Sequence, residues 1–261
     1  MDGHELRLIL ESHRRGEIST DDALRKVRWS APVEAAGDFA LLDTHRRLRC
    51  GFPEVVFGLG KSDEQIDAII SALEKHGDGV LATRIPPQTA ALLLAAHPAG
   101  DYSPAARTFW IPPTNDPGPK LGKVVVVTAG TSDLPVAEEA RITAAAWNCE
   151  VTLISDVGVA GVHRLLGKLD QIIGADAVVC VAGMEGALPS VVGGLVDCPV
   201  IAVPTSIGYG AHLHGLASLL AMLNSCSSNV VVVNIDSGFN GGYVAGLIAR
   251  RAGQARQATH G

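Results

Sequence analysis

The sequence is short of aromatic residues, of charge and of paired cysteines, and it has no long apolar run. Phe, Trp and Tyr make up only 4% of the 261 residues, although hydrophobic residues make up 47%. The apolar mass is therefore Ala, Val, Leu and Ile, the composition of strands buried on both faces of a parallel sheet. Charged residues account for 18%, and the formal net charge is −6. Such a chain lacks the basic face that nucleic-acid binding requires, so nucleic acid is not an expected partner. No run approaches the roughly 18 apolar residues of a membrane-spanning helix, so no membrane partner is expected. The opening MDGHELRLILESHRRGE scatters charge among its apolar positions, unlike a signal peptide. The five cysteines, Cys50, Cys149, Cys180, Cys198 and Cys226, are odd in number and show no CxxC spacing. They fit free thiols in a reducing cytoplasm better than a disulfide framework.

What is present is an alternation of apolar strands and helix-length segments. Residues 3–29 read as two short helices, with Leu6, Ile9 and Leu10 on one face and Ser19 or Thr20 as the second N-cap. VVFGLG (55–60), GVLATRI (79–85) and TFWIP (108–112) read as strands. Ser62–Gln65 is a capping-box pattern opening a helix to about Lys75, and Pro86-Pro87 starts another to about His97. PPTNDPGPK (112–120) holds four prolines and reads as a linker between domains 1–115 and 121–255. Beyond it, strands at 124–128, 151–155, 177–182, 199–203 and 230–235 alternate with helices at 134–147, 161–171, 185–195, 212–223 and 239–251. This βα alternation predicts a parallel sheet flanked by helices. Ligands of such sheets bind outside the carboxyl ends of the strands. The loops predicted there are 129–133, 156–161, 183–189, 204–210 and 236–238, and they concentrate Gly, Ser, Thr, Asp and Glu.

Four features could carry chemistry. Thr131-Ser132-Asp133 follows the first strand and opens a helix. The residues either cap that helix or face a phosphate at its N-terminus, and the two roles are compatible. His163-Arg164 could pair a proton-transfer group with a phosphate clamp, although on a surface helix the pair by itself means little. Glu185, in GMEG, either interacts with its own helix N-terminus or acts as a cleft acid/base; the flanking Gly183 and Gly186 permit close approach of another molecule. Cys226 lies in the polar run NSCSS, whereas Cys149, Cys180 and Cys198 lie in or beside apolar strands and read as small hydrophobes. The Cys226 loop precedes the last strand, so it is expected at the amino edge, opposite the other candidates. Either a neighbouring subunit supplies it or the chain there is irregular.

AGTSDLPVAEEA (129–140), DVGVAGVHRLL (156–166), VAGMEGALPSVVGGLVDCPVIAVPTSIGYGA (181–211), LNSC and NIDSGF together closely resemble the LarB family, the pyridinium-3,5-biscarboxylic acid mononucleotide synthases of nickel-pincer cofactor biosynthesis. CGFPEVVFGLGKS (50–62) and TRI (83–85) resemble that family's additional N-terminal domain. The second half also resembles PurE, aminoimidazole ribonucleotide carboxylase, at Gly130, Ser132, Asp133, His163-Arg164 and the Gly183–Pro189 loop. PurE lacks the N-terminal domain and the LNSC and NID segments. Where the LarB pattern reads GYGASFGG, NSCAPG and NIDNGFGAGY, this chain reads GYGAHLHG, NSCSSN and NIDSGFNGGY, so the rim near His212 and His214 is expected to differ.

The resemblance implies an α/β fold: a PurE-like, flavodoxin/Rossmann-like parallel sheet flanked by helices, plus a smaller N-terminal α/β domain. It implies carboxylation of nicotinic acid adenine dinucleotide with CO2 or bicarbonate and hydrolysis of its phosphoanhydride, releasing AMP. In that chemistry Cys226 adds to the ring and Glu185 removes the ring proton. His163 matches a PurE histidine. Thr131, Ser132, Asp133 and Arg164 hold ribose and phosphate, and Asp156, Gly183, Gly186, Ser206 and Tyr209 complete the expected substrate contacts. Mg2+ is an expected cofactor without a signature of its own, and an octamer is the expected assembly. Two alternatives remain open at this point: a PurE-type carboxylase or mutase, and a non-catalytic nucleotide-binding protein.

Overall fold

The computed structural model describes residues 3–29, 34–44, 46–114 and 116–260. The chain divides into two compact units, Met1–Asp101 with Phe109–Asp116 and Tyr102–Thr108 with Pro117–Gly261.

The N-terminal region begins with helices α1 (Gly3–Arg14) and α2 (Thr20–Trp29). Ser19 caps α2, its hydroxyl oxygen accepting the Asp22 N–H at 3.1 Å. Ile9 of the expected apolar face is buried, but Leu10 is exposed. A hairpin of β1 (Glu34–Ala36) and β2 (Ala40–Leu42) and a short helix α3 (Arg46–Cys50) come next. None of the three was expected, because elements of three to five residues leave no periodic signal. β3 (Val55–Phe57) and β4 (Val80–Thr83) are parallel. Between them, α4 (Asp63–Glu74) starts with the predicted capping box, Ser62 and Gln65 each bonding the other's backbone. Helix α5 (Pro87–Ala96) opens on Pro87, where a missing N–H costs nothing. Strands β5 (Asp101–Ser103) and β6 (Thr108–Ile111) complete a sheet of order β3-β4-β6-β5; β5 was not anticipated.

The second unit is the expected parallel sheet: β7 (Lys123–Thr128), β8 (Glu150–Ile154), β9 (Ala177–Ala182), β10 (Val200–Pro204) and β11 (Val230–Val232), in the order β11-β10-β9-β7-β8. The order reverses between β7 and β9. Val124–Val127, Ala177–Val181 and Val200–Val203 are fully buried. Each such valine contributes roughly 1.5–3 kcal/mol of transfer free energy, which explains why these runs show no alternation.

Helices α6 (Leu134–Ala146) and α11 (Gly238–His260) pack together on one face. Their backbones approach closely at a glycine seam. A Cβ on Gly242 would lie 2.2 Å from the Ala140 carbonyl oxygen, and one on Gly246 would lie 2.4 Å from the Trp147 ring. Four shorter helices complete the sheet's crossovers: α7 (Val162–Leu166), α8 (Leu169–Ile172), α9 (Leu188–Gly193) and α10 (Leu216–Leu223).

The structure corrects several predicted bounds. The helix expected at 161–171 breaks at Gly167-Lys168 into α7 and α8, and the one expected at 185–195 contracts to 188–193. Residues 210–215 form 3₁₀ turns with left-handed Leu213 and His214 before α10 begins. The last strand ends at Val232 rather than 235, and α11 runs nine residues past 251 to His260. Among the described residues no helix is long and apolar enough to cross a membrane.

Candidate active site

A cleft of about 560 Å³ opens at the carboxyl ends of the second unit's strands. Its walls come from the loops after β7, β8, β9 and β10, with Gly130, Ser132 and Asp133 from the β7 loop and Ala182–Glu185 from the β9 loop meeting where the strand order reverses. Chain connections diverge at such a point, leaving a crevice that neither crossover covers. Of the expected site residues, Ser132, Asp133, Arg164, Gly183, Glu185 and Tyr209 line it.

Asp133 is 4% exposed. One carboxylate oxygen accepts the Gly130 N–H at 2.9 Å, and the other accepts the Thr205 hydroxyl at 2.7 Å. It therefore closes its own turn rather than bonding the N–H groups of α6. Burial pushes its carboxyl above the ordinary aspartate range, and the charge of Asp236 adds to that; the Thr205 hydroxyl and the N–H groups of Gly130 and Gly183 oppose it. Ser132 is exposed to the cleft.

Glu185 is also exposed, on a turn whose preceding residue, Met184, has a left-handed backbone (φ 45°). The Met184 N–H donates to the Ile207 carbonyl at 3.1 Å, joining the β9 loop to the β10 loop. Tyr209 stands at the rim, 80% exposed. Arg164 reaches the cleft from α7 and pairs with Asp156, which lies outside the lining. His163, beside it, and Thr131 are exposed, and neither lines the cleft. Gly186 is buried against Ser218. Ser206 uses its N–H to bond the Asp236 carboxylate at 2.8 Å.

Cys226 lies elsewhere. Its loop is tied to the amino edge: Ser227 donates to the Ser190 carbonyl at 2.7 Å, the Asn229 amide donates to the Cys198 carbonyl at 3.0 Å, and β11 begins at Val230. Within one chain it does not line the cleft with Glu185. The thiol is exposed, and so is that of Cys50, a second exposed cysteine that the sequence reading did not single out. Burial pushes the Cys149 thiol up to about 11 and raises Cys180 and Cys198 as well. At pH 8, two thiols of the native protein, Cys50 and Cys226, are expected to react with a disulfide reagent while the three buried ones wait for denaturant. Fast titration of all five would contradict the burial described here.

Sequence reasoning missed Thr205 and Asp236 as partners of the site. Both are polar residues next to apolar runs on the carboxyl-edge loops, which is the signal that could have found them. His212 is buried, its Nδ1 accepting the Gly215 N–H at 3.3 Å. That bond assigns the neutral ring's proton to Nε2, a buried atom with no hydrogen-bond partner among the described residues.

Residues 33–113 match the family described as LarB/PurE-like N-terminal domain, and residues 123–259 match the family described as AIR carboxylase. An uncharacterized protein of Methanocaldococcus jannaschii is 42% identical over 256 residues, covering 95% of this chain and 98% of the relative. The crystal structure of a Treponema denticola PurE2 variant is similar at 19% identity, covering 53% of this chain and 90% of that one, with a TM-score of 0.40.

Proposed function

This chain belongs to the AIR carboxylase family and carries a LarB/PurE-like N-terminal domain, and from that premise we propose that it is a LarB-type carboxylating hydrolase of the cytoplasm. Its substrates are nicotinic acid adenine dinucleotide and CO2 or bicarbonate; its products are pyridinium-3,5-biscarboxylic acid mononucleotide and AMP. The observation that carries this reading over the PurE alternative is the match at residues 33–113, in a domain additional to the carboxylase fold.

The chemistry follows from the electron-poor ring, which cannot attack CO2 unaided. The Cys226 thiolate adds to a ring carbon, forming a C–S bond and a neutral dihydropyridine. C5 of that enamine attacks CO2, forming the C–C bond. Glu185 then accepts the C5 proton, and the C–S electron pair returns to sulfur as aromaticity is restored. The covalent route divides one difficult step into easier ones. Ser132, Asp133 and Arg164 hold ribose and phosphate in the cleft. Water adds across the phosphoanhydride to release AMP.

Mg2+ draws no support from the chain's own donors. Among the described residues no three His, Cys, Asp or Glu side chains converge on a point, and both Asp133 oxygens are already engaged.

Because Cys226 and Glu185 lie at opposite edges of one sheet, the working site takes Cys226 from a neighbouring subunit of a homo-oligomer, an octamer by the family resemblance. Mixing Cys226→Ser and Glu185→Gln subunits should then restore activity that neither has alone, since some sites receive both native residues. Light scattering showing a fully active monomer would defeat the assembly. The function itself is tested by incubating purified protein with nicotinic acid adenine dinucleotide and bicarbonate and scoring AMP and the dicarboxylated mononucleotide. Aminoimidazole ribonucleotide is run in parallel, and turnover of it alone would favour the PurE reading.

A further inference from the structure

Among the described residues Arg164 is the one arginine lining the cleft, and a half-exposed arginine on a five-residue helix would ordinarily sample many rotamers. Three features hold this one. Its Nη1 donates to the Asp156 carboxylate at 2.5 Å. Its guanidinium lies against the backbone of Gly161, where an added Cβ would come within 2.6 Å of Nε and 3.0 Å of Nη2. Leu165, the next residue, is fully buried and anchors the helix.

Asp156 is itself fixed. It has a left-handed backbone (φ 59°), a strained conformation for a residue with a Cβ, which persists only where the surroundings enforce it. Here the Asp156 N–H donates to the Thr128 hydroxyl at 3.1 Å, and the Val157 N–H donates to the Thr128 carbonyl at 3.0 Å. Thr128 and Val157 are buried. The backbone of Asp156 is thus tied to the end of β7, and its carboxylate lies outside the cleft lining while the arginine it pairs with is part of it.

We propose that Asp156 is a positioning residue: it does not touch the ligand but aims Arg164 at a ligand phosphate, and Gly161 is required because any side chain there would push the guanidinium away. This rests on the reading of the cleft as a nucleotide site. It replaces direct substrate contact by Asp156 with an indirect role.

The sign of one measurement separates positioning from simple electrostatics. Removing a negative charge near a phosphate site should, through Coulomb's law alone, tighten anion binding. Loss of a positioning contact should weaken it. The full-length protein is titrated calorimetrically with nicotinic acid mononucleotide and with the corresponding nucleoside lacking phosphate. Asp156→Asn is expected to raise the mononucleotide Kd by about tenfold, with nucleoside affinity unchanged. Gly161→Ala, made independently, should do the same. In an Arg164→Ala background, Asp156→Asn should add nothing, because its effect passes through the guanidinium. Unchanged or tighter mononucleotide binding by Asp156→Asn overturns the proposal, as does an equal loss for the nucleoside. If the wild type binds neither compound, the nucleotide reading of the cleft falls together with it.

Discussion

Cys226→Ser is expected to abolish carboxylation, lowering turnover by roughly 10³-fold or more, the scale of losing a nucleophile, while the fold persists. A serine hydroxyl is a far weaker acid and nucleophile than a cysteine thiol. The side chain is exposed, so exchanging sulfur for oxygen removes no core packing, and the thermal midpoint should stay where it is. Substrate affinity should also survive, because the groups proposed to hold ribose and phosphate belong to the cleft and not to the Cys226 loop. Product formation near the wild-type rate would remove Cys226 from the mechanism.

Glu185→Gln is expected to preserve binding and to lower turnover by roughly 10²–10⁴-fold, the usual worth of a general base. The amide keeps the shape of the carboxylate and cannot accept the C5 proton. The carboxylated dihydropyridine should then persist on the enzyme as a thioether, visible as added mass on the peptide containing Cys226. Turnover within about threefold of wild type would be too small for base catalysis and would move the role to another group in the cleft. Asp133, whose carboxyl is raised by burial, is the first group to examine in that event.

The central strands were legible in the sequence because residues buried on both faces leave unbroken Val, Ala and Ile runs, as at 124–127 and 177–182. The α4 capping box was legible because its pattern is local. What escaped was set by tertiary context. The hairpin at 34–42 and strand β5 are too short for periodicity to register. The break at Gly167-Lys168 and the left-handed pair Leu213-His214 answer to packing rather than to pattern. At the site, chain order alone put Ser132, Asp133 and Glu185 on one edge and Cys226 on the other. The bonds from Thr205 to Asp133 and from Ser206 to Asp236 join residues thirty or more positions apart, and no local pattern encodes such pairs.

The glycine seam of α11 bears on how the protein is made. Four glycines inside that helix, at 241, 242, 246 and 253, cost roughly 3–4 kcal/mol relative to alanine. The segment is thus a poor helix in isolation and acquires its form only against α6 and the sheet. Yet α6 leaves the ribosome about a hundred residues earlier, together with β7, the strand that must later pair between β8 and β9. During translation the nascent second unit therefore exposes the Ala140 and Trp147 surface of α6 until residues 238–260 arrive. A ribosome stalled before residue 238 should carry a protease-sensitive chain, and synthesis and release through His260 should convert it to a resistant one.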